Sequence, residues 1–122
     1  MTDDDRYARG VARFRELFGV EPPVASLEPG FVRVTLEHLF GEIWNRPGLA
    51  LAERSLVTLA ALTVLNREQE LRLHLRGARN VGIPREKLVE LMIHLAHYGG
   101  WPVAVAGLRA LQEAWPETPT TP

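Results

Sequence analysis

Residues 67–82, REQELRLHLRGARNVG, decide the fold and collect the side chains with chemical potential. Their spacing predicts an α-helix in which Glu70 and His74, four residues apart, lie one above the other on a single face. Gly82 lacks a Cβ and is the residue type that commonly ends a helix in the left-handed conformation. Four arginines share the segment: Arg67, Arg72, Arg76 and Arg79. One helix therefore carries an acid, a base and several cations.

The sequence on both sides of this stretch also has helical periods. Apolar residues recur at intervals of three, four and seven, and no segment keeps the alternation that a strand requires. Glycines and prolines make residues 19–30 an irregular connection. The predicted helices cover residues 3–18, 31–45, 49–65, 67–82, 84–96 and 102–115. The predicted fold class is all-α, a compact antiparallel bundle of about six helices.

Two of these helices are unusually apolar. Residues 31–45 have too many apolar side chains for a narrow stripe, which predicts a largely buried helix. Gly41 weakens that helix unless a neighbouring backbone or a ligand comes close. Residues 56–65, LVTLAALTVL, are apolar all round and need cover on every side. In so short a chain another subunit provides that cover most simply, which predicts a homo-oligomer.

Length and composition limit the classes of protein that fit. A chain of 122 residues predicts one domain over 1–122, with a frayed tail at 116–122. The 14 basic and 15 acidic residues are interspersed, so nucleic acid is not an expected partner. The acidic N-terminus does not resemble a signal peptide, and residues 56–65 are too short to span a bilayer. A soluble cytoplasmic protein without membrane association is expected.

Four segments together resemble a known family. They are FGEIWNRPGL at 40–49, ERSLVTLAAL at 53–62, ELRLHLRGARNVG at 70–82 and REKLVELMIHLAHYGGWP at 85–102. In these segments the chain resembles the carboxymuconolactone decarboxylase family, over about two thirds of its length. The resemblance implies an all-helical fold related to the alkylhydroperoxidase-D proteins. It also implies a homo-oligomer, commonly a hexamer, with a trimer as the other expected assembly.

The same resemblance separates two branches of the superfamily. In the peroxidase branch, two cysteines stand seven and four residues before a histidine, and a glutamate on the preceding helix relays protons. If His74 is that histidine, Arg67 and Glu70 occupy the cysteine positions and Ser55 occupies the relay position. The chain has no cysteine, so a thiol peroxidase is excluded and the decarboxylase branch is implied. The HYGG sequence at 97–100 departs from the VYAG pattern of that branch.

The resemblance implies a cofactor-free carboxy-lyase of aromatic catabolism, in the protocatechuate (β-ketoadipate) pathway. Its substrate is a dicarboxylate lactone, γ-carboxymuconolactone, which loses CO₂ to give the enol-lactone of 3-oxoadipate. The lactone carbonyl accepts the electrons, so neither a metal nor an organic cofactor is required. Two alternatives remain: a lyase or isomerase for a related lactone, and a non-catalytic or stress-associated oligomeric binding protein that keeps the fold.

Three residues are candidates for catalysis. His74 is the expected proton donor, or the donor to the enolate oxygen, because an imidazole titrates near neutrality without large perturbation. Glu70, one turn earlier, is expected to fix the imidazole tautomer or to raise its pKa. Glu42 is the candidate second acid. A helical Glu and His pair is also a common surface contact, which is the structural alternative.

Four further residues are candidates for substrate binding. Arg54 and Arg72 are expected to clamp carboxylates, since a guanidinium offers two parallel hydrogen bonds to an anion. Trp44 is a candidate pocket wall and Tyr98 a candidate hydrogen-bond donor. Each has a structural alternative: an ion pair for Arg54, a solvated face for Arg72, and core packing for Trp44 and Tyr98.

A metal site is not predicted. His94 and His97 stand three residues apart and could bind a metal with Glu90, but this spacing is permissive. Zinc sites usually need further ligands and supporting groups that the sequence does not show.

Overall fold

The structure, a computed structural model, describes residues 1–116. The sequence-predicted tail therefore lies, from residue 117 onward, outside the described residues. Within 1–116 there are six α-helices and no strand, which confirms the predicted all-α class. The helices are α1 (Asp3–Phe18), α2 (Pro29–Val34), α3 (Leu51–Val64), α4 (Glu68–Asn80), α5 (Arg85–Ala96) and α6 (Trp101–Ala114). None of them is long and apolar enough to cross a bilayer.

The chain divides into two compact units. Unit 1 comprises Met1–Arg54 and unit 2 comprises Ser55–Pro122, so the boundary falls inside α3. The single domain expected over 1–122 stays a prediction.

Unit 1 is built by packing α1 against an irregular helical segment. The single helix predicted over 31–45 is wrong in detail, because α2 continues as a π-helical segment (Thr35–Phe40) and then a 3₁₀ turn (Ile43–Asn45). The Gly41 N–H donates to the Leu36 carbonyl, five residues back, at 2.9 Å. The Asn45 side-chain amide then donates to the carbonyls of Phe40 and Gly41, which ends the segment.

Two glycines allow this packing. A Cβ on Gly10, in α1, would lie 1.7 Å from the carbonyl oxygen of Leu36. A Cβ on Gly41 would lie 2.4 Å from the carbonyl oxygen of Arg6. The close backbone approach considered for Gly41 in the sequence is therefore present. The buried core of unit 1 is largely aromatic: Phe14, Leu17, Phe18, Leu36, Phe40 and Trp44.

Unit 2 holds the remainder of α3 and three further helices. Helices α4 and α5 each pack against α6. A Cβ on Gly107, in α6, would lie 2.6 Å from the Met92 sulfur, so the Met92 side chain would have to shift. Gly82 follows α4 with φ of 88°, as its predicted role as a helix terminator requires. The largest buried side chains of this core are Leu59, Leu71, Leu75, Leu88, Met92 and Leu111.

Candidate functional site

His74 lies beside the buried stripe of α4. Leu71 and Leu75, its neighbours on that helix, are completely covered, and the imidazole is itself mostly withdrawn from solvent. Burial lowers the pKa of His74 from its ordinary value of 6.5 to about 4, and the nearby Glu70 carboxylate opposes this shift. Desolvation of the charged form outweighs the attraction of an exposed carboxylate.

The expectation that His74 titrates near neutrality is therefore wrong, and the cause is the burial of its imidazole. Glu70 acts on the pKa in the predicted direction, but its effect is smaller than that of burial. At neutral pH the imidazole is uncharged and carries one N–H donor and one acceptor nitrogen. This protonation state favours donation of a hydrogen bond to an oxyanion over delivery of a proton from an imidazolium.

The lowered pKa predicts a pH-dependent stability. The unfolded chain takes up a proton at His74 below pH 6.5, whereas the folded chain resists it down to about pH 4. The free energy of unfolding should therefore fall as the pH drops from 6.5 to 4, by on the order of 2 kcal/mol. Urea unfolding at both pH values measures it, and His74→Gln should remove most of this loss. An equal loss in the variant would contradict the assignment.

Arg72 does not offer a free guanidinium. Its Nε donates to Glu113 of α6 at 2.7 Å, and its Nη2 lies 3.8 Å from the Glu68 carboxylate. The hydrogen bond to Glu113 raises the pKa of Arg72 further. The side chain thus ties α4 to α6 instead of pointing to solvent.

Arg54 has fewer partners than Arg72, the other predicted clamp. Its Nη2 donates to the Arg46 carbonyl at 2.8 Å, while its Nε is buried and has no hydrogen-bond acceptor among the described residues. Glu53, the carboxylate next to Arg54 in sequence, accepts the Ala50 N–H at 2.8 Å. No carboxylate of residues 1–54 forms an ion pair with Arg54 in the structure. A buried donor of this kind is costly to leave unpaired, and a ligand carboxylate would satisfy it.

Glu42 and Trp44 flank the start of the 3₁₀ turn in unit 1. The Glu42 carboxylate forms an ion pair with Arg6, whose Nε is 3.0 Å away, and lies 3.5 Å from Nδ1 of His38. Trp44 is buried and stacks on Phe40 with ring centroids 5.9 Å apart. Trp44 therefore packs in the core, which was the structural alternative. Because Arg46 caps the same turn, its hydrogen bond to Arg54 connects the turn to the beginning of α3.

Tyr98 lies on the surface at the end of α5. Its side chain is 78% exposed and stacks on His94 at 5.0 Å. It therefore does not pack in the core, and its hydroxyl is open to solvent. His97 contacts the Ile93 carbonyl through Nδ1 at 2.9 Å, and its ring meets Trp101 edge-on. Among residues 1–116 no group of three or more metal-ligating side chains is assembled, so His94 and His97 have no third ligand.

Ser55 is a further candidate that the sequence pattern does not predict as a site residue. Its side chain is completely buried, and its hydroxyl has no hydrogen-bond partner among the described residues. The one feature of the sequence that could have indicated a buried Ser55 is its position at the start of an apolar run.

In unit 2 the described Glu70 and His74 share one face of α4, whereas Arg72 turns to α6.

Comparison with known proteins identifies relatives along the whole chain. The sequence profile of the carboxymuconolactone decarboxylase family matches residues 29–113. The 4-carboxymuconolactone decarboxylase of Acinetobacter baylyi is 36% identical over 128 aligned residues, which cover 100% of this chain and 96% of that protein.

Two further relatives match shorter regions. The nitrosuccinic acid decarboxylase of Metarhizium robertsii is 36% identical over 85 residues, covering 70% of this chain and 59% of that protein. An uncharacterized 15.0 kDa protein of Paracoccus denitrificans is 32% identical over 94 residues, covering 75% of this chain and 70% of that protein. The chain belongs to the carboxymuconolactone decarboxylase family.

Proposed function

We propose that the chain is a carboxy-lyase that converts γ-carboxymuconolactone to the enol-lactone of 3-oxoadipate. The main support is the similarity to the Acinetobacter 4-carboxymuconolactone decarboxylase over the full length of the chain. Two donors agree with the needs of this reaction: the buried Nε–H of Arg54, which has no acceptor among the described residues, and the N–H of the uncharged His74 imidazole.

The reaction needs a route for one electron pair. Cleavage of the bond between the ring carbon and the carboxylate releases CO₂ and leaves the pair on the ring. The electron pair is delocalised through the C=C bond to the carbonyl oxygen of the lactone, which gives a dienolate. A proton from solvent then adds to the carbon α to this carbonyl. Because the substrate accepts its own electrons, the protein has to bind carboxylates, stabilise the oxyanion and guide the proton.

Each candidate residue except Arg72, which already binds Glu113, receives one role in this scheme. The Nε–H of Arg54 donates to a substrate carboxylate, and the neutral N–H of His74 donates to the dienolate oxygen. Glu70 favours the tautomer of His74 that presents this N–H. Glu42 remains the candidate second acid, and Tyr98 a hydrogen-bond donor. Trp44, which packs in the core, supports the turn that holds the Arg54 contact instead of touching the substrate.

The two arginines provide a matched test of carboxylate binding. Arg54→Lys keeps the charge but removes the paired N–H donors, so kcat/KM should fall by roughly 10- to 100-fold, as loss of a charge-assisted hydrogen bond predicts. Arg72→Lys is the control and should change kcat/KM by less than about threefold, because Arg72 already binds Glu113. Steady-state kinetics of CO₂ release measures both. Equal effects of the two substitutions would contradict the role of Arg54.

A second candidate substrate comes from the relative that is a nitrosuccinic acid decarboxylase. A nitro group accepts the electron pair of a departing carboxylate as a lactone carbonyl does, so the same type of site could serve. The two reactions are separated by assaying γ-carboxymuconolactone and nitrosuccinate side by side. We expect the higher kcat/KM with the lactone; preference for nitrosuccinate would replace the proposed substrate.

We also propose that the chain works as a homo-oligomer, a hexamer or a trimer. The support is that apolar side chains of α3 and its end remain exposed in the single chain, with Val57 at 58% and Leu65 at 64%. Another subunit would cover such a surface. Light scattering coupled to size-exclusion chromatography measures the mass, and a monomer at all concentrations would contradict this.

A further inference from the structure

Unit 1 contains a pocket that none of the proposed catalytic or binding residues lines. It has a volume of about 140 Å³ and forms where the 19–30 connection meets α1, α2 and the π-helical segment. We propose that this pocket, named here the Phe14 pocket, binds a small uncharged apolar molecule the size of one aromatic ring. The inference is independent of the decarboxylase activity.

The Phe14 pocket has a buried floor and an open rim. Leu36, Phe40 and Phe14 form the floor and are each less than 10% exposed. Phe31 and Leu27 form the rim and are 63% and 60% exposed. An apolar molecule in the pocket would remove its own surface and that of the two rim side chains from water. This burial of apolar surface is the source of binding free energy.

The lining offers no group for a charged or strongly polar ligand. Thr35 supplies the one hydroxyl, and it already donates to the Phe31 carbonyl at 2.8 Å. The nearby Glu28 carboxylate accepts the Phe31 N–H at 2.9 Å. The other lining side chains are aliphatic, proline or phenyl groups. A carboxylate would lose its hydration here without gaining a partner, so the chemistry selects uncharged ligands.

Arg33, beside the pocket in sequence, does not alter this selection. Its guanidinium is held by Glu37 at 2.5 Å and by Asp4 at 3.0 Å, and it lies over the Tyr7 ring. The positive charge of Arg33 is therefore balanced by carboxylates of unit 1 and is not available to a ligand in the pocket.

The size and walls fit a single ring. Apolar cavities of roughly 150 Å³ admit benzene or xenon, whereas drug-sized ligands need about 300 Å³ or more. Phe14 and Phe40 meet edge-to-face with centroids 5.3 Å apart, so aromatic walls are already formed. A ring ligand can pack against them in the offset or edge-on geometry that aromatic groups prefer.

The test is a ¹⁹F NMR titration of the full chain with fluorobenzene, with toluene as competitor. Val32 lines the pocket and Val34, two residues along, is exposed and does not. Val32→Phe fills the pocket and should weaken binding at least about tenfold, while the matched Val34→Phe should leave it unchanged. Saturable binding that toluene displaces in wild type and Val34→Phe is the expected result.

Three results would overturn the proposal. The first is a signal that rises linearly without displacement, and the second is equal binding by Val32→Phe. The third is no binding by wild type; if Val32→Phe also forms a smaller oligomer, a second copy fills the pocket instead. If Val32→Phe does not fold, nuclear Overhauser contacts between toluene and the Phe14 and Phe31 rings in wild type decide: their presence supports the site and their absence overturns it.

Discussion

Replacing His74 by alanine is expected to lower kcat for γ-carboxymuconolactone by about 10²–10⁴-fold, the usual contribution of a positioned group that stabilises developing charge or assists proton transfer. The physical reason is that the dienolate oxygen loses its N–H donor in a site from which water is partly excluded. KM should change much less, because this hydrogen bond strengthens only as charge moves onto the oxygen. Initial rates of CO₂ release measure the effect.

The matched variant His74→Gln separates the two roles considered for this residue. Glutamine keeps an uncharged N–H donor but cannot transfer a proton near neutral pH. Because burial holds the pKa of His74 at about 4, we expect His74→Gln to retain at least about tenfold more activity than His74→Ala. Equal activities of Gln and Ala variants would contradict a role as neutral donor and restore the proton-transfer role.

Gly10→Ala is expected to lower the free energy of unfolding by about 3 kcal/mol or more, at the upper end of overpacking effects. The added Cβ would lie 1.7 Å from the carbonyl oxygen of Leu36 and 2.6 Å from its carbonyl carbon. These are backbone atoms, so no side-chain rotation relieves the clash and α1 has to move away from the π-helical segment. Thermal unfolding should show a decrease in Tm of roughly 10 °C.

Gly48→Ala is the control for the same chemical change. A Cβ at this position meets no atom within 4 Å, and the residue does not need a left-handed backbone. Its stability should stay within about 0.5 kcal/mol of wild type, as for most surface substitutions. If Gly10→Ala were as stable as Gly48→Ala, the close packing of α1 against the π-helical segment would be wrong.

Most helices could be predicted from the sequence, because each presents its apolar residues at helical spacing. Residues 3–18 match α1 fully, and the helix predicted at 67–82 is present as Glu68–Asn80. The break in 31–45 could not be predicted in this way. It depends on Asn45, whose side chain binds two carbonyls, and on the approach of Gly10 from α1, both of which are tertiary contacts.

Tertiary contacts limit the prediction of the candidate site residues in the same way. Sequence spacing placed Glu70 and His74 on one face, but the pKa of His74 depends on how deeply the ring is buried. Arg72 could not be distinguished from Arg54 by residue type, since its partner Glu113 lies 41 residues away in the chain. Local pattern thus indicates which groups are available, and long-range packing decides which of them remain free to bind a ligand.

The most direct test of the proposed function is the rate of CO₂ release when the purified wild-type chain is mixed with γ-carboxymuconolactone generated in situ. We expect one CO₂ and one enol-lactone per substrate, at a kcat of about 1 s⁻¹ or higher, the usual range for enzymes acting on their own substrate. Circular dichroism on the same sample confirms that the helices are formed. Release of CO₂ at the rate of the buffer alone, from a folded sample, would contradict the decarboxylase assignment and favour a binding protein that keeps the fold.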